Sequence, residues 1–216
     1  MIVGSLELSG LGMRVSRFLL DLSGGELIIA LPLIGIAAFI LGMGMDALPA
    51  YITLAVLVAP ALIHLGVPDL AAHLFVFYWT MASFFTPPVC LAVYVACGMS
   101  GASIWQTGWQ AIRLAPVIYL LPFIFAVEPA FLLQDTLLKN LMAAITAIVG
   151  AVSIASGIRG YGVKVMNWPQ RIMCLAGGLA LLWPTLVLSL SGITAVALSV
   201  VWQKLELPSA QKSNVK

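Results

Sequence analysis

The sequence predicts an all-α polytopic membrane protein: a re-entrant helical hairpin and a discontinuous helix, followed by additional transmembrane helices. Three observations carry that reading. Of 216 residues, 62% are hydrophobic and 8% charged, against roughly 25% charged in a soluble domain. The apolar runs are of the length that a bilayer core of ~30 Å demands of a helix, about 20 residues, and the short alternating segments of a β-barrel are not seen. Finally, no charged residue stands between Asp69 and Arg113, yet the middle of that run, Phe84-Phe85-Thr86-Pro87-Pro88-Val89, cannot be an undisturbed helix. Each proline lacks an N–H and clashes with the carbonyl one turn back, and the residue before each is pushed away from helical angles.

Taken in order, residues 1–26 form an interfacial arm. Leu6, Leu8, Leu11, Val15, Phe18, Leu19 and Leu22 give an apolar face, and Glu7, Arg14, Arg17 and Asp21 a polar one, as in a helix lying at the membrane surface. A signal peptide is the competing reading, but the basic residues are far from Met1 and Ser23-Gly24-Gly25-Glu26 separates them from the next apolar run. Residues 27–65 are two apolar legs around Gly42-Met43-Gly44-Met45-Asp46-Ala47-Leu48-Pro49. They read either as two full spans or as a re-entrant hairpin. The legs are short for a crossing and the tip has no Lys or Arg, which favours the hairpin.

After a water-facing turn at His64–Asp69, residues 70–98 form one discontinuous span, interrupted at Thr86-Pro87-Pro88. A polar stretch with Trp105 and Trp109 one turn apart reads as an interfacial helix at 101–112 with an aromatic anchor. A span at 113–134 is punctuated by Pro116, Pro122 and Pro129. Residues 136–216 hold additional transmembrane helices and a polar tail. An ordinary span begins near Leu137, and the loop to Arg171 carries Arg159, Lys164 and Arg171, a cytoplasmic signature. The run from Ile172 to Leu205, ~50 Å as straight helix, is too long for one upright crossing; Pro184 or Ser191-Gly192 are the candidate breaks. The positive-inside tendency then makes the broken span run inward and the hairpin enter from outside.

The net charge of +2 implies no nucleic-acid partner. Cys90, Cys97 and Cys174 match no metal or redox spacing and read as small buried apolar residues. There is no phosphate-binding loop, dinucleotide fingerprint or pair of catalytic carboxylates, so no enzyme and no cofactor is expected. The chemistry on offer is ligation by main-chain carbonyls and hydroxyls at the two breaks, an oxygen set that suits a hard cation such as Na⁺. Secondary transporters build ion sites from discontinuous helices that meet at mid-membrane. The bland alternative is a pair of proline kinks that shape a bundle. Glu128 reads as interfacial. His73 is either a packed or interfacial histidine or part of a proton or substrate path.

The segments LGMGMDALPAY (Leu41–Tyr51), AAHLFVFY (Ala71–Tyr78) and TPP (Thr86–Pro88) together resemble the C-terminal half of the large membrane subunit of TRAP (tripartite ATP-independent periplasmic) transporters. The resemblance is closest to the fused-permease branch paired with TAXI-type solute-binding proteins. It covers about residues 1–135; the tail with GIRGYGVKV is more loosely similar to that branch's extra C-terminal helices. The resemblance implies one repeat of an elevator-type, sodium-coupled importer, multi-pass in the bacterial inner membrane, taking a small organic solute, an organic acid by family expectation, from a periplasmic solute-binding protein. The matched elements are the second hairpin, Leu27–Leu65, and the second broken helix, Leu70–Gly98; within them the expected Na⁺ ligands are carbonyls near Gly42, Gly44 and Ala47, the Thr86 hydroxyl and carbonyls near Pro88, with Asp46, His73 and Ser83 as candidates for an ion or substrate pathway. Asp46 departs from the branch's usual pattern and reads either as an aid to cation or proton coupling or as a surface acid. Because the first repeat and the small-subunit helices have no counterpart in the sequence, the expectation is a chain that works only with the remaining half of the permease and those helices. A non-transporting structural or remnant membrane protein is the alternative.

Overall fold

The computed structural model describes residue 4, residues 8–182 and residues 186–205. Among these the chain is helical, with no strand beyond an isolated bridge between Tyr161 and Val165. It forms two compact units, Met1–Asn140 and Leu141–Lys216. Two helical stretches are long and apolar enough to cross a bilayer, Ala47–His64 and Leu137–Arg159, and three if the bent pair Ile104–Leu114 and Pro116–Val127 counts as one span. The chain is an all-α polytopic membrane protein.

In the first unit, α1 (Leu11–Ser23) and α2 (Leu27–Gly42) are joined at Gly24 and Gly25, both at positive φ. The Gly24 N–H reaches Asp21 O and the Gly25 N–H reaches Leu20 O, the glycine helix-end motif. Helix α3 (Ala47–Leu57) returns alongside α2 and continues into α4 (Ala59–His64) across Val58. The bend has a definite cause in Pro60. Without an N–H, Pro60 leaves the Val56 carbonyl unclaimed, and the Ala61 N–H bonds Val58 O rather than Leu57 O. Helix α1 docks onto those two freed carbonyls. Ser16 Oγ donates to Leu57 O at 2.9 Å, and Gly12 sits so close that a β-carbon there would lie 2.9 Å from Val56 O. The arm is therefore packed through Gly12, Ser16, Leu19 and Ser23. Of the apolar face expected from the sequence, Leu19 is buried while Leu11, Phe18 and Leu22 are exposed.

Helix α5 (Asp69–Ala82) is the centre of the unit and packs against α2, α3, α4 and, further along, α8 (Pro116–Val127). Ile34, Leu54, Leu62, Phe75 and Val76 are fully buried there. Trp79 lies over Gly35, where a β-carbon would come within 2.6 Å of the indole, and meets Phe39, Tyr119 and Phe123 edge-on. Its indole N–H is buried with no hydrogen-bond partner among the described residues, a cost of roughly 1–3 kcal/mol that the shape of the aromatic cluster must offset. Helices α6 (Leu91–Ser100) and α7 (Ile104–Leu114) pack on one another. The interfacial helix thus begins and ends a few residues later than the sequence suggests, and the following span stops at Val127, where Pro129 opens a 3₁₀ turn, Pro129–Leu132.

The second unit continues α9 (Leu137–Arg159) and adds α10 (Trp168–Leu181) and α11 (Leu186–Leu205). Contacts from Gly177 to Gly192 and Val196, and from Cys174 to Ser199, set α10 and α11 antiparallel. The long C-terminal run is thus a helical hairpin. Ser191-Gly192, one of the two breaks considered, lies inside α11, where Gly192 lets the helices touch; the other, Pro184, and the polar tail beyond 205 lie outside the described residues. On the other side of α10, Gly178 faces Gly150 of α9: a β-carbon on either would lie 3.0 Å from the other's carbonyl oxygen. Small residues at helix crossings let backbones approach in a membrane, where no hydrophobic force drives helices together. At the loop end, the Arg171 guanidinium donates to Gly157 O and Ile158 O, satisfying end carbonyls of α9, and Gln203 Oε1 accepts the Val163 N–H.

Candidate functional site

The two interruptions foreseen in the sequence are present, and they meet. Helix α2 stops at Gly42 and α5 at Ala82. Gly42 is buried against the end of α5: a β-carbon there would lie 3.2 Å from Thr80 Cγ2 and 3.3 Å from Ser83 Oγ. Both elements arrive by their C-terminal ends. A helix C-terminus carries carbonyls without intrahelical partners and the negative end of the helix dipole, so two of them side by side favour a cation.

After α2, the Met43 N–H takes Ile40 O at 3.3 Å, and Gly44 turns the chain at φ +83, a conformation that residues with a side chain rarely hold. After α5, the Ser83 N–H bonds Thr80 O and the Phe84 N–H bonds Met81 O. The path then runs through a cis Pro87-Pro88 peptide to Cys90, at φ +33, and the Ala92 N–H reaches back to Phe84 O at 2.9 Å.

The hydroxyls at this end are oriented by the carbonyls they serve. Thr80 Oγ1 donates to Val76 O at 2.7 Å and Ser83 Oγ to Thr80 O at 2.7 Å. Thr86 Oγ1 donates to Ala82 O and shares a second hydrogen bond with Tyr119 Oη. A hydroxyl has one proton and two lone pairs. With the proton committed to a helix carbonyl, what Ser83 and Thr86 offer their surroundings is oxygen lone pairs, the valence a hard cation uses.

The remaining candidates fall in different places. Ala47 is the first residue of α3, and its N–H is capped by Asp46 Oδ1 at 2.8 Å. That helix start presents N–H groups, so the Ala47 carbonyl belongs to the ladder of α3 rather than to an open carbonyl end, and the exposed Asp46 carboxylate is engaged as an N-cap. Gly44 is exposed at the tip. Cys90 Sγ lies 4.0 Å from the Pro88 carbonyl oxygen. His73 is half-buried, with Nδ1 3.2 Å from Tyr51 Oη, and stands nine residues before Ala82, ~14 Å along α5. The fold therefore gathers Gly42, Ser83 and Thr86 near the end of α5 and leaves His73 well up the helix.

Sequence reasoning missed Tyr119 as the partner of Thr86, and Tyr51 as the partner of His73. The available signal was that a tyrosine in an apolar helix needs a partner for its hydroxyl. It also missed Gly108 of α7, which lies under the break: a β-carbon there would be 2.7 Å from Pro87 Cγ.

The family model described as the tripartite ATP-independent periplasmic transporter, DctM component, matches residues 1–140. The matched segment is the first compact unit, Met1–Asn140. No curated protein and no solved structure matches the chain.

Proposed function

This chain belongs to the DctM family of tripartite ATP-independent periplasmic transporters, a family of permease components, and we propose that it couples solute movement to Na⁺ at the junction of α2 and α5. The observation that carries the proposal is the contact of Gly42 with Thr80 and Ser83: two C-terminal helix ends converge beside two hydroxyls whose protons are already spent. In this reading the Na⁺ ligands are carbonyls at the end of α2 near Gly42 and at the break around Pro88, with the oxygens of Ser83 and Thr86. Asp46 and Ala47 shape the tip rather than ligate. The hairpin of α2 and α3–α4 is re-entrant, and its tip moves relative to α5 as the site opens.

The same reading supplies the solute class and the partners. The solute is a small organic acid whose negative charge is balanced by the coupling cation. A periplasmic binding protein delivers it, the small membrane subunit completes the assembly, and the bacterial inner membrane is the location. Family membership supports this reading of the partners and the location, and the cation chemistry proposed for the break supports an anionic solute.

The test uses the purified full chain. Na⁺ binding to the folded state raises stability by about 2.7 kcal/mol at a hundredfold excess over the dissociation constant. The melting temperature should therefore rise saturably in NaCl and stay flat in equimolar KCl. Ser83→Ala and Thr86→Val should weaken the Na⁺ response, while Asp46→Asn should leave it intact. Equal melting in the two salts for the unmodified chain would end the sodium reading.

A further inference from the structure

The first unit contains a second site, remote in character from the helix ends. A cavity of about 650 Å³ lies between α1, the Gly24-Gly25 turn and the end of α4, within the ~300–1,000 Å³ of ordinary ligand pockets. Three of its lining residues are ionisable: Arg17, Asp21 and His64. The remainder is largely apolar, with Met13, Leu20, Pro60 and Leu65. Arg17 and Asp21 are one helical turn apart and so share a face, yet they form no ion pair with each other or with any other described residue. A cation and an anion side by side and unpaired, above an apolar floor, are complementary to a ligand with both charges and a hydrocarbon body.

The surroundings say where such a ligand comes from. Helix α1 exposes Leu11, Phe18 and Leu22 along one stripe and carries Arg14, Arg17 and Asp21 on the neighbouring one, the build of a helix in the headgroup layer of a bilayer. Next to His64, Ile63 is exposed as well. The pocket is also part of a rigid joint, since Ser16 and Pro60, which line it, belong to the contact by which α1 docks on the carbonyls freed at the α3–α4 bend.

We propose that this cavity binds the headgroup of a membrane phospholipid that carries a primary amine, of the phosphoethanolamine type. The phosphate is held by the Arg17 guanidinium, whose fork matches phosphate oxygens, with His64 as a second donor. The ammonium, a short bridge away from the phosphate, is held by Asp21. The glycerol end rests on Met13, Leu20, Pro60 and Leu65. A free water-soluble phosphate would use the charged groups and leave that apolar floor wet; a lipid uses both. The lipid thereby ties the arm to the mouth of the hairpin. This site does not depend on sodium coupling.

The experiment is lipid binding by the purified, delipidated full chain, read by native mass spectrometry and by melting temperature. Phosphatidylethanolamine, phosphatidylcholine and phosphatidylglycerol are added in mixed micelles, and phosphoethanolamine in water. Phosphatidylethanolamine should bind roughly tenfold tighter than phosphatidylcholine, whose trimethylated amine cannot donate to Asp21, a charge-assisted hydrogen bond being of that order. Arg17→Gln should weaken phosphatidylethanolamine binding about tenfold or more, and Arg17→Lys should restore part of it. Asp21→Asn should abolish the preference for ethanolamine over choline and leave phosphatidylcholine binding unchanged. Because Arg17 and Asp21 are both exposed, the variants should melt like the unmodified chain without lipid. The proposal is overturned if Arg17→Gln binds phosphatidylethanolamine as well as the unmodified chain does. It is overturned equally if free phosphoethanolamine binds as tightly as the lipid, or if phosphatidylglycerol is preferred with and without Asp21→Asn.

Discussion

In the first unit Gly42 ends a helix beside Ser83, where main-chain carbonyls run out of partners; in the second, Gly177 and Gly178 sit in the middle of α10. Both regions are apolar, and both bring glycine to a place where two helices touch. They differ in what surrounds the glycine. Around Gly42 the neighbours are the Thr80 methyl, the Ser83 hydroxyl and a turn. Around Gly178 they are Gly150 O and Ile154, part of the packed backbone of α9. A membrane offers no water to an open carbonyl, so only the first arrangement calls for something to complete it. The second is closed by its own packing. The family model matches the first unit, with its open ends, and stops at residue 140.

If the second unit is held by backbone proximity, the sharpest way to break it is to add side-chain volume at the crossing. A β-carbon at Gly178 would lie 2.7 Å from Ile154 Cγ1 and 3.0 Å from Gly150 O, and the carbonyl cannot yield without moving a helix. Gly178→Val should destabilise the second unit by about 3 kcal/mol, the upper range for overpacking, measured as the denaturation midpoint in a steric-trap or mixed-micelle titration. The Na⁺ response proposed for the first unit should survive. Loss of both together would mean that the two regions are not the separate structural solutions described above.

The first unit has its own closed carbonyls, and these sharpen the comparison. At the α3–α4 bend caused by Pro60, the Ala61 N–H bonds Val58 O, which leaves Leu57 O to Ser16 Oγ at 2.9 Å. Ser16→Ala should cost about 2 kcal/mol, as for a buried acceptor left unsatisfied, read by thermal or denaturant unfolding. In a Pro60→Ala background the residue-60 N–H can take Val56 O and the Ala61 N–H can return to Leu57 O, so the same serine substitution should cost little. A double-mutant cycle measures the difference directly; purely additive costs would show that Ser16 packs rather than completes the bend.

This bend also marks how far the residues alone could be read. Interruptions at Gly42–Pro49 and Thr86–Pro88 were expected because consecutive prolines and a glycine-rich tip admit no continuous helix; the first is shorter than expected, since α3 already begins at Ala47. Pro60 gave the same kind of signal more weakly: one proline in an apolar run is compatible with a kinked but unbroken helix. Ser191-Gly192 looked like a break and is a contact, since a glycine in a membrane helix serves either end and only the partner helix decides. The hydroxyl geometry at Thr86 was beyond reach, because its partner Tyr119 is 33 residues away and arrives through the packing of α8 on α5. His73 reads from the sequence as a packed or interfacial histidine or as part of a pathway, and it stands beside Tyr51 Oη.

The smallest expected effect lies at the start of α9, where the chain enters that helix. There the carbonyl groups of the comparison give way to a carboxylate closed by its own chain. Asp135 Oδ1 accepts the Thr136 N–H at 2.7 Å and Oδ2 accepts from Lys139 Nζ at 2.9 Å. The Thr136 N–H first, and the Lys139 ammonium second, hold the Asp135 carboxyl below its usual value of 3.8. A carboxyl whose pKa is lower in the folded state than in the unfolded one favours folding above the unfolded value, and that contribution disappears as pH falls through the lowered native value. Asp135→Asn should therefore melt slightly below the unmodified chain at neutral pH, and the gap should close at pH below the carboxylate range. Because the pair is exposed to solvent and the ammonium attraction is screened, high salt should shrink the gap only in part. The share that persists reports the Thr136 hydrogen bond, and a gap unaffected by pH would assign the effect to side-chain shape instead of charge.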